Sequence, residues 1–113
     1  MLALLLALAT VGGTVCENDC DDRGCWVLVY RYTVNTAWPG QRPVLETRET
    51  FDGRRAPTEE QALCQAEQLR QTGVVLPGLE RFGHSSNFMP ESITPMPHLL
   101  ALELGIPSTT PEP

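Results

Sequence analysis

Three cysteines and four acidic side chains fall within ten residues, in the stretch CENDCDDRGC from Cys16 to Cys25. Thiolates and carboxylates bind metal ions, and paired thiols either form disulfides or exchange electrons with other thiols. A fourth cysteine, Cys64, follows much later in the chain. The stretch is therefore a metal site, a redox site or part of a disulfide framework, and the spacing of its residues distinguishes among these.

The cysteine spacing does not suit zinc. A structural zinc site uses closely spaced pairs of ligands, usually with two residues between the members of a pair. Three residues separate Cys16 from Cys20, and four separate Cys20 from Cys25. His84 and His98 stand too far apart to supply a second pair. We therefore predict that the chain holds no zinc ion.

Calcium binding and thiol redox chemistry are also disfavoured in this stretch. Asp19, Asp21 and Gly24 match the first, third and sixth positions of an EF-hand loop, but the twelfth position, which must be acidic, is Tyr30. No two cysteines have the two-residue separation typical of thiol oxidoreductases. We predict no metal ion and no cofactor.

The first fifteen residues, MLALLLALATVGGTV, contain no charged side chain. The run is shorter than the roughly 20 apolar residues that a membrane-spanning helix needs. It is typical of the apolar part of a secretory signal peptide, with Ala7-Leu8-Ala9 as the cleavage site, although a basic segment before it is missing. We expect residues 1–15 to be a leader. The alternatives are a buried helix of a cytosolic domain and an uncleaved anchor, which would be the protein's only contact with a membrane.

Four cysteines in a small acidic chain behind such a leader predict two disulfides and a periplasmic or secreted protein. The cysteines are Cys16, Cys20, Cys25 and Cys64, and three pairings are open. Cys25 and Cys64 are both expected to point away from the interface between sheet and helix, which disfavours a bond between them. Of the other pairings we favour Cys20–Cys64 with Cys16–Cys25. The stretch then crosslinks an acidic N-terminal arm to the body of the domain.

A β-hairpin is predicted after the arm. WVLVYRYTV, residues 26–34, is rich in β-branched and aromatic residues, and its two-residue period places alternate side chains on one apolar face. The loop NTAWPGQRP follows, with Pro39-Gly40 as a type II turn. VLETRETF, residues 44–51, is the second strand, and its charged side chains suit an edge of the sheet.

One helix is predicted in PTEEQALCQAEQLRQTG. Thr58 is the expected N-cap, with Gln61 three residues later as in a capping box, and Gly73 ends the helix. Cys64 lies on the polar face, where the arm can reach it. The apolar stripe that should face the sheet consists of Ala62, Leu63, Ala66 and Leu69.

Prolines divide the last part of the chain. Pro90, Pro95 and Pro97 are expected to break any long element, and residues 97–105 can form two turns of helix. The predicted fold is a small single α+β domain in which the hairpin packs on one main helix, with a disulfide-crosslinked N-terminal arm and an irregular Pro-rich C-terminal part. The predicted organisation is a leader over 1–15, the α+β domain over 16–104 and a disordered Pro/Thr-rich tail over 105–113.

Charge and motifs exclude two classes of function. A net charge of −6, with eight arginines and no lysine, is opposite to that of a nucleic-acid-binding surface. His84, Ser85 and Ser86 form a polar run, but no nucleophile elbow or oriented base surrounds them. We therefore predict a protein that is not an enzyme.

Binding to another protein is the function that remains. Trp38 lies in the hairpin loop, where a large aromatic side chain is a natural anchor for a partner, and Arg42 lies nearby. We expect a small exported non-catalytic binding or accessory protein, with the composition of a bacterial or phage-encoded factor. The alternatives are a membrane-tethered accessory protein with an uncleaved leader and a cytosolic zinc- or thiol-dependent regulator.

Overall fold

The structure, a computed structural model, describes residues 15–20, 24–76 and 88–109. It confirms the predicted α+β class in a small single domain. Almost all of the expected leader, together with the His84–Ser86 run, lies outside the described residues. The elements, in chain order, are β1 (Trp26–Asn35), β2 (Leu45–Phe51), α1 (Glu59–Thr72), β3 (Ser92–Pro97) and α2 (His98–Glu103).

β1 is the central strand of an antiparallel sheet with the order β2-β1-β3. It pairs with β2 through matches such as Val34 with Glu46, and with β3 through matches such as Tyr30 with Ile93. The predicted alternation along β1 is confirmed, because its two sets of alternate side chains enter two different clusters. The hairpin and the edge position of β2 also agree with the sequence.

The larger cluster lies between the sheet and α1. Its side chains are apolar and almost free of solvent, so their burial is the main stabilising contribution to the fold. Trp26 and Phe88 cover its margins. The buried members are Leu28, Tyr30, Tyr32, Val34, Ala56, Ala62, Ala66, Leu69, Val74, Leu76 and Ile93.

The ends of α1 follow the sequence signals. Thr58 Oγ1 accepts a hydrogen bond from the Gln61 N–H at 3.2 Å, and the Gly73 N–H donates to the Leu69 carbonyl at 2.7 Å. Gly73 has a φ of +84°, which a glycine adopts without strain. The predicted apolar stripe was wrong in one member: Leu63 is exposed, and the polar Gln65 is buried instead. Leu63 lies about 100° around the helix from Ala62, too far from the centre of the buried face.

β3 is a strand that the sequence did not reveal, because its prolines were expected to break it. The His98 N–H donates to the Cys25 carbonyl at 2.8 Å. Counting back from His98 along β3, every second residue directs its N–H and carbonyl groups toward β1, and the residues between them direct these groups away from β1. Pro95 and Pro97 therefore occupy the positions whose nitrogens point away from β1, where no N–H is needed. This is how an edge strand tolerates proline.

The opposite face of the sheet carries a smaller core under α2. It comprises Val27, Val29, Phe51 and Ala101, with Met96 and Ile106 against it. The predicted short helix is present, and Gly105 follows it with a φ of +75°.

The first part of the expected tail is attached to the sheet, which differs from the disorder predicted from residue 105. The Phe51 N–H donates to the Pro107 carbonyl at 3.2 Å, and the Thr109 N–H donates to the Phe51 carbonyl at 2.8 Å. Thr50 Oγ1 also donates to the Pro107 carbonyl at 2.8 Å. Ile106 packs against the smaller core and so holds this segment on the sheet. Residues 110–113 lie outside the described residues.

Candidate protein-binding surface

The N-terminal arm is held by two disulfides, Cys16–Cys64 and Cys20–Cys25. All four cysteines are therefore in disulfides as predicted, but the favoured pairing was wrong. Cys16 is bonded to the polar face of α1, and the chain reaches the sheet at Cys25. Cys20 bonds to Cys25 and closes a short loop at the start of β1. The inference that Cys25 and Cys64 do not bond to each other is confirmed.

Two glutamines of α1 fix the arm further. The Glu17 N–H donates to Gln61 Oε1 at 2.8 Å, so this side chain binds the arm instead of completing the capping box. Gln65 Nε2 donates to the Glu17 carbonyl at 2.9 Å and to the Arg55 carbonyl at 2.8 Å. These two bonds explain why a glutamine is buried, since a buried amide must be hydrogen-bonded.

Residues 52–55 form an excursion from the sheet, because Phe51 pairs with Val29 and the chain returns to pair Ala56 with Trp26. Asp52-Gly53 is a dipeptide typical of turns, but no local signal indicates the return of the chain to β1. Asp52 accepts a hydrogen bond from the Tyr30 hydroxyl at 3.0 Å.

The excursion and the arm enclose a half-open polar depression of about 290 Å³. Both of its guanidinium groups are engaged by the excursion itself. Arg54 Nε lies 3.4 Å from Asp52 Oδ2, and Arg55 Nη1 donates to the Asp52 and Arg54 carbonyls at 2.9 Å each. This arrangement serves the fold, and we assign it no ligand.

Burial raises the pKa of the Tyr30 phenol well above its ordinary value of 10.0, and the charge of the Asp52 carboxylate raises it further. Above about pH 10 the unfolded chain loses this proton while the folded chain retains it, so the free energy of unfolding falls as the pH rises. The expected slope approaches roughly 1.4 kcal/mol per pH unit.

Urea unfolding between roughly pH 9 and pH 12 measures this loss cleanly, because the chain has no lysine and its four cysteines are paired. Tyr30→Phe should give a shallower decline, with Tyr32, whose pKa burial also raises, as the remaining contributor. Equal slopes for the wild type and Tyr30→Phe would contradict this account of the Tyr30–Asp52 pair.

The hairpin loop has a defined conformation. The Thr36 N–H donates to the Val44 carbonyl at 3.0 Å and closes the loop at its base. The Gln41 N–H donates to the Trp38 carbonyl at 3.0 Å, with Pro39 and Gly40 between them. Gly40 has a φ of +85°, as the third position of a type II turn requires. Trp38 is therefore the first residue of a hydrogen-bonded turn.

Three exposed apolar side chains lie in the hairpin loop or at its end. Trp38 is 75 % exposed, and Leu45 and Val44 are 71 % and 54 % exposed. Arg42 is also exposed in the same loop. The sequence pattern singled out Trp38 and Arg42 but not the two aliphatic residues, since an apolar residue at the start of a strand is usually half-buried. Their position beside the turn was the signal that could have found them.

Phe88 belongs to the margin of the core and not to the exposed surface. Phe88 packs edge to face against Tyr32, with ring centroids 6.4 Å apart, and its backbone pairs with that of Val74. Within residues 15–20, 24–76 and 88–109, no group of three or more metal-binding side chains occurs. The hairpin loop is therefore the candidate binding surface.

Comparison with known proteins gives no relative: no family model, no curated protein and no solved structure matches the chain. Two disulfides indicate an oxidising environment of the extracellular type. No helix in the described parts of the chain is long and apolar enough to cross a membrane.

Proposed function

We propose that this protein is a small exported non-catalytic binding protein that acts through contacts between proteins, with the hairpin loop as the contact surface. The single observation that carries the proposal is the exposure of Trp38 at the start of a hydrogen-bonded turn. Trp38 is the anchor, and Arg42 is a charged contact beside it.

The energetics of interfaces support this role. Tryptophan and arginine are the side chains most often found where truncation costs an interface most of its affinity. An exposed tryptophan on a flexible loop would lose much of this gain to ordering, but here the turn is already closed. Val44, whose carbonyl closes the base of the same loop, is exposed as well.

The disulfides support a periplasmic or extracellular site of action, and the apolar residues 1–15 are consistent with export. They also weigh against the cytosolic zinc- or thiol-dependent alternative, because that function needs the cysteines as free thiols. The absence of lysine and the abundance of alanine, leucine, proline and arginine are consistent with a bacterial or phage-encoded accessory protein.

A comparison of Trp38→Ala with Leu99→Ala tests the proposal. Leu99 is 64 % exposed on α2, at the opposite end of β1 from the loop. Leu99→Ala therefore controls for non-specific binding through exposed apolar side chains. Tagged wild type and both variants are incubated with extracytoplasmic extract of the source cells, and bound proteins are quantified by mass spectrometry. The candidate partner is then purified and its affinity measured.

The expected result is a partner that binds the wild type and Leu99→Ala alike and binds Trp38→Ala roughly 30-fold more weakly. Equal affinity of all three proteins for every partner recovered would contradict the role of the hairpin loop.

A further inference from the structure

The outer edge of β2 has backbone groups directed away from the sheet. Val44 is hydrogen-bonded to Thr36, and from Val44 onward every second residue of the strand bonds toward β1. The residues between them direct their N–H and carbonyl groups outward, and these are Leu45, Thr47, Glu49 and Phe51. Those of Phe51 are already bonded to the segment at Pro107–Thr109. The groups of residues 45, 47 and 49 form a short template for one more strand.

The other edge of the sheet is a poorer template. Pro95 and Pro97 have no N–H at the outward positions of β3. The carbonyl of Ile93, a third outward position, accepts from Arg70 Nη2 at 3.4 Å. An added strand is therefore directed to β2.

We propose that this strand is β2 of a second copy of the chain, paired antiparallel about a two-fold axis at Thr47. In that pairing Thr47 faces Thr47, and residue 45 of each copy faces residue 49 of the other. All three outward positions of each copy then meet outward positions of the other, and two three-stranded sheets become one six-stranded sheet.

The charges of β2 select this register. Centring on Thr47 places Glu46 of one copy opposite Arg48 of the other, twice, and extends the Glu46–Arg48 pair of 2.9 Å that each strand already makes. Moving the axis by one residue would place Glu46 opposite Glu46 or Arg48 opposite Arg48. Like charges directly opposite each other destabilise a sheet, so the alternatives are disfavoured.

The ends of β2 limit the shared ladder to residues 45–49. On one side the Pro107–Thr109 segment occupies the edge at Phe51, and on the other Pro43 lacks an N–H. A slipped strand would meet one of these obstacles. The interaction uses the strand edge rather than Trp38, so it is independent of the proposed function.

Exchange of charges tests the pairing. Glu46→Arg places like charges opposite each other in its own dimer, and so does Arg48→Glu. In the heterodimer that forms when the two variants are mixed, unlike charges again face each other at both positions. Glu67→Arg, on the exposed face of α1, makes the same change in net charge as Glu46→Arg but away from the edge.

The mass in solution is measured by light scattering during gel filtration, over a range of concentrations, with circular dichroism to confirm folding. We expect a wild-type dimer, a roughly tenfold or greater weakening of association in each reversal variant, and recovery in the equimolar mixture. Thr47→Pro, which removes an outward N–H and no bond to β1, should also weaken the dimer. Glu67→Arg should match the wild type.

Three results would overturn the inference. The first is a wild-type protein that stays monomeric at every concentration. The second is a dimer that is unaffected by both charge reversals. The third is a pair of reversal variants that fail to associate when mixed although both are folded, which would show that β2 does not pair about Thr47.

Discussion

Leu69→Asp is expected to unfold the domain, whereas Leu63→Asp, the same change on the same helix, is expected to leave it folded. Leu69 is 7 % exposed within the cluster under α1, while Leu63 is 45 % exposed. Removing a buried leucine side chain costs about 2–5 kcal/mol, and burying a carboxylate without a partner adds several more. That loss is comparable with the whole stability of a domain, about 5–15 kcal/mol.

Guanidinium unfolding followed by circular dichroism measures the difference, with Gln68→Asp as a control at the exposed position next to Leu69. The expected order is a large loss for Leu69→Asp and small changes for the other two. Similar losses for Leu63→Asp and Leu69→Asp would mean that α1 presents a different face to the sheet.

Removal of the Cys16–Cys64 disulfide should cost more than removal of Cys20–Cys25. The first bond joins residues separated by 48 positions and the second joins residues separated by 5. Because a longer crosslinked loop restricts the unfolded chain more, the expected losses are about 4 and about 2 kcal/mol. Replacing the buried Cys25 by alanine leaves a cavity that adds about 1 kcal/mol to the second loss. The loss of Cys16–Cys64 is still expected to be the larger of the two.

The paired variants Cys16→Ala/Cys64→Ala and Cys20→Ala/Cys25→Ala, unfolded in urea, provide the measurement. Intact mass before and after alkylation shows that the remaining disulfide is formed in each. The prediction fails if the variant lacking Cys20–Cys25 is the less stable of the two. The loss of Cys16–Cys64 should also weaken the bonds that Glu17 makes to Gln61 and Gln65.

Local patterns were enough to predict the hairpin and the main helix. The alternation of β1 and the signals at Thr58 and Gly73 act over a few residues, and the structure agrees with them. β3 could not be found in this way. Pro95 and Pro97 oppose a strand by propensity, and only the register against β1 shows that their nitrogens point outward.

The disulfide pairing and the surroundings of the hairpin loop depended on contacts between distant segments. The burial of Gln65 reflects bonds to Glu17 and Arg55, which nothing in the helical pattern of α1 indicates. Trp38 was identified because no regular element forces the burial of a large side chain in a loop, whereas the exposure of Val44 became visible only in the structure. The sequence drew attention to Trp38 but not to the exposed Val44 at the base of the same loop.

The prolines of β3 also bear on how this protein behaves when concentrated. A sheet with two open edges can add molecules at both ends without limit, as in a fibril. Here one edge has proline at two of its three outward positions, and the other is open only over residues 45–49. Edge-to-edge growth therefore terminates after one addition, and the folded protein should resist polymerisation even at high concentration in an oxidising compartment.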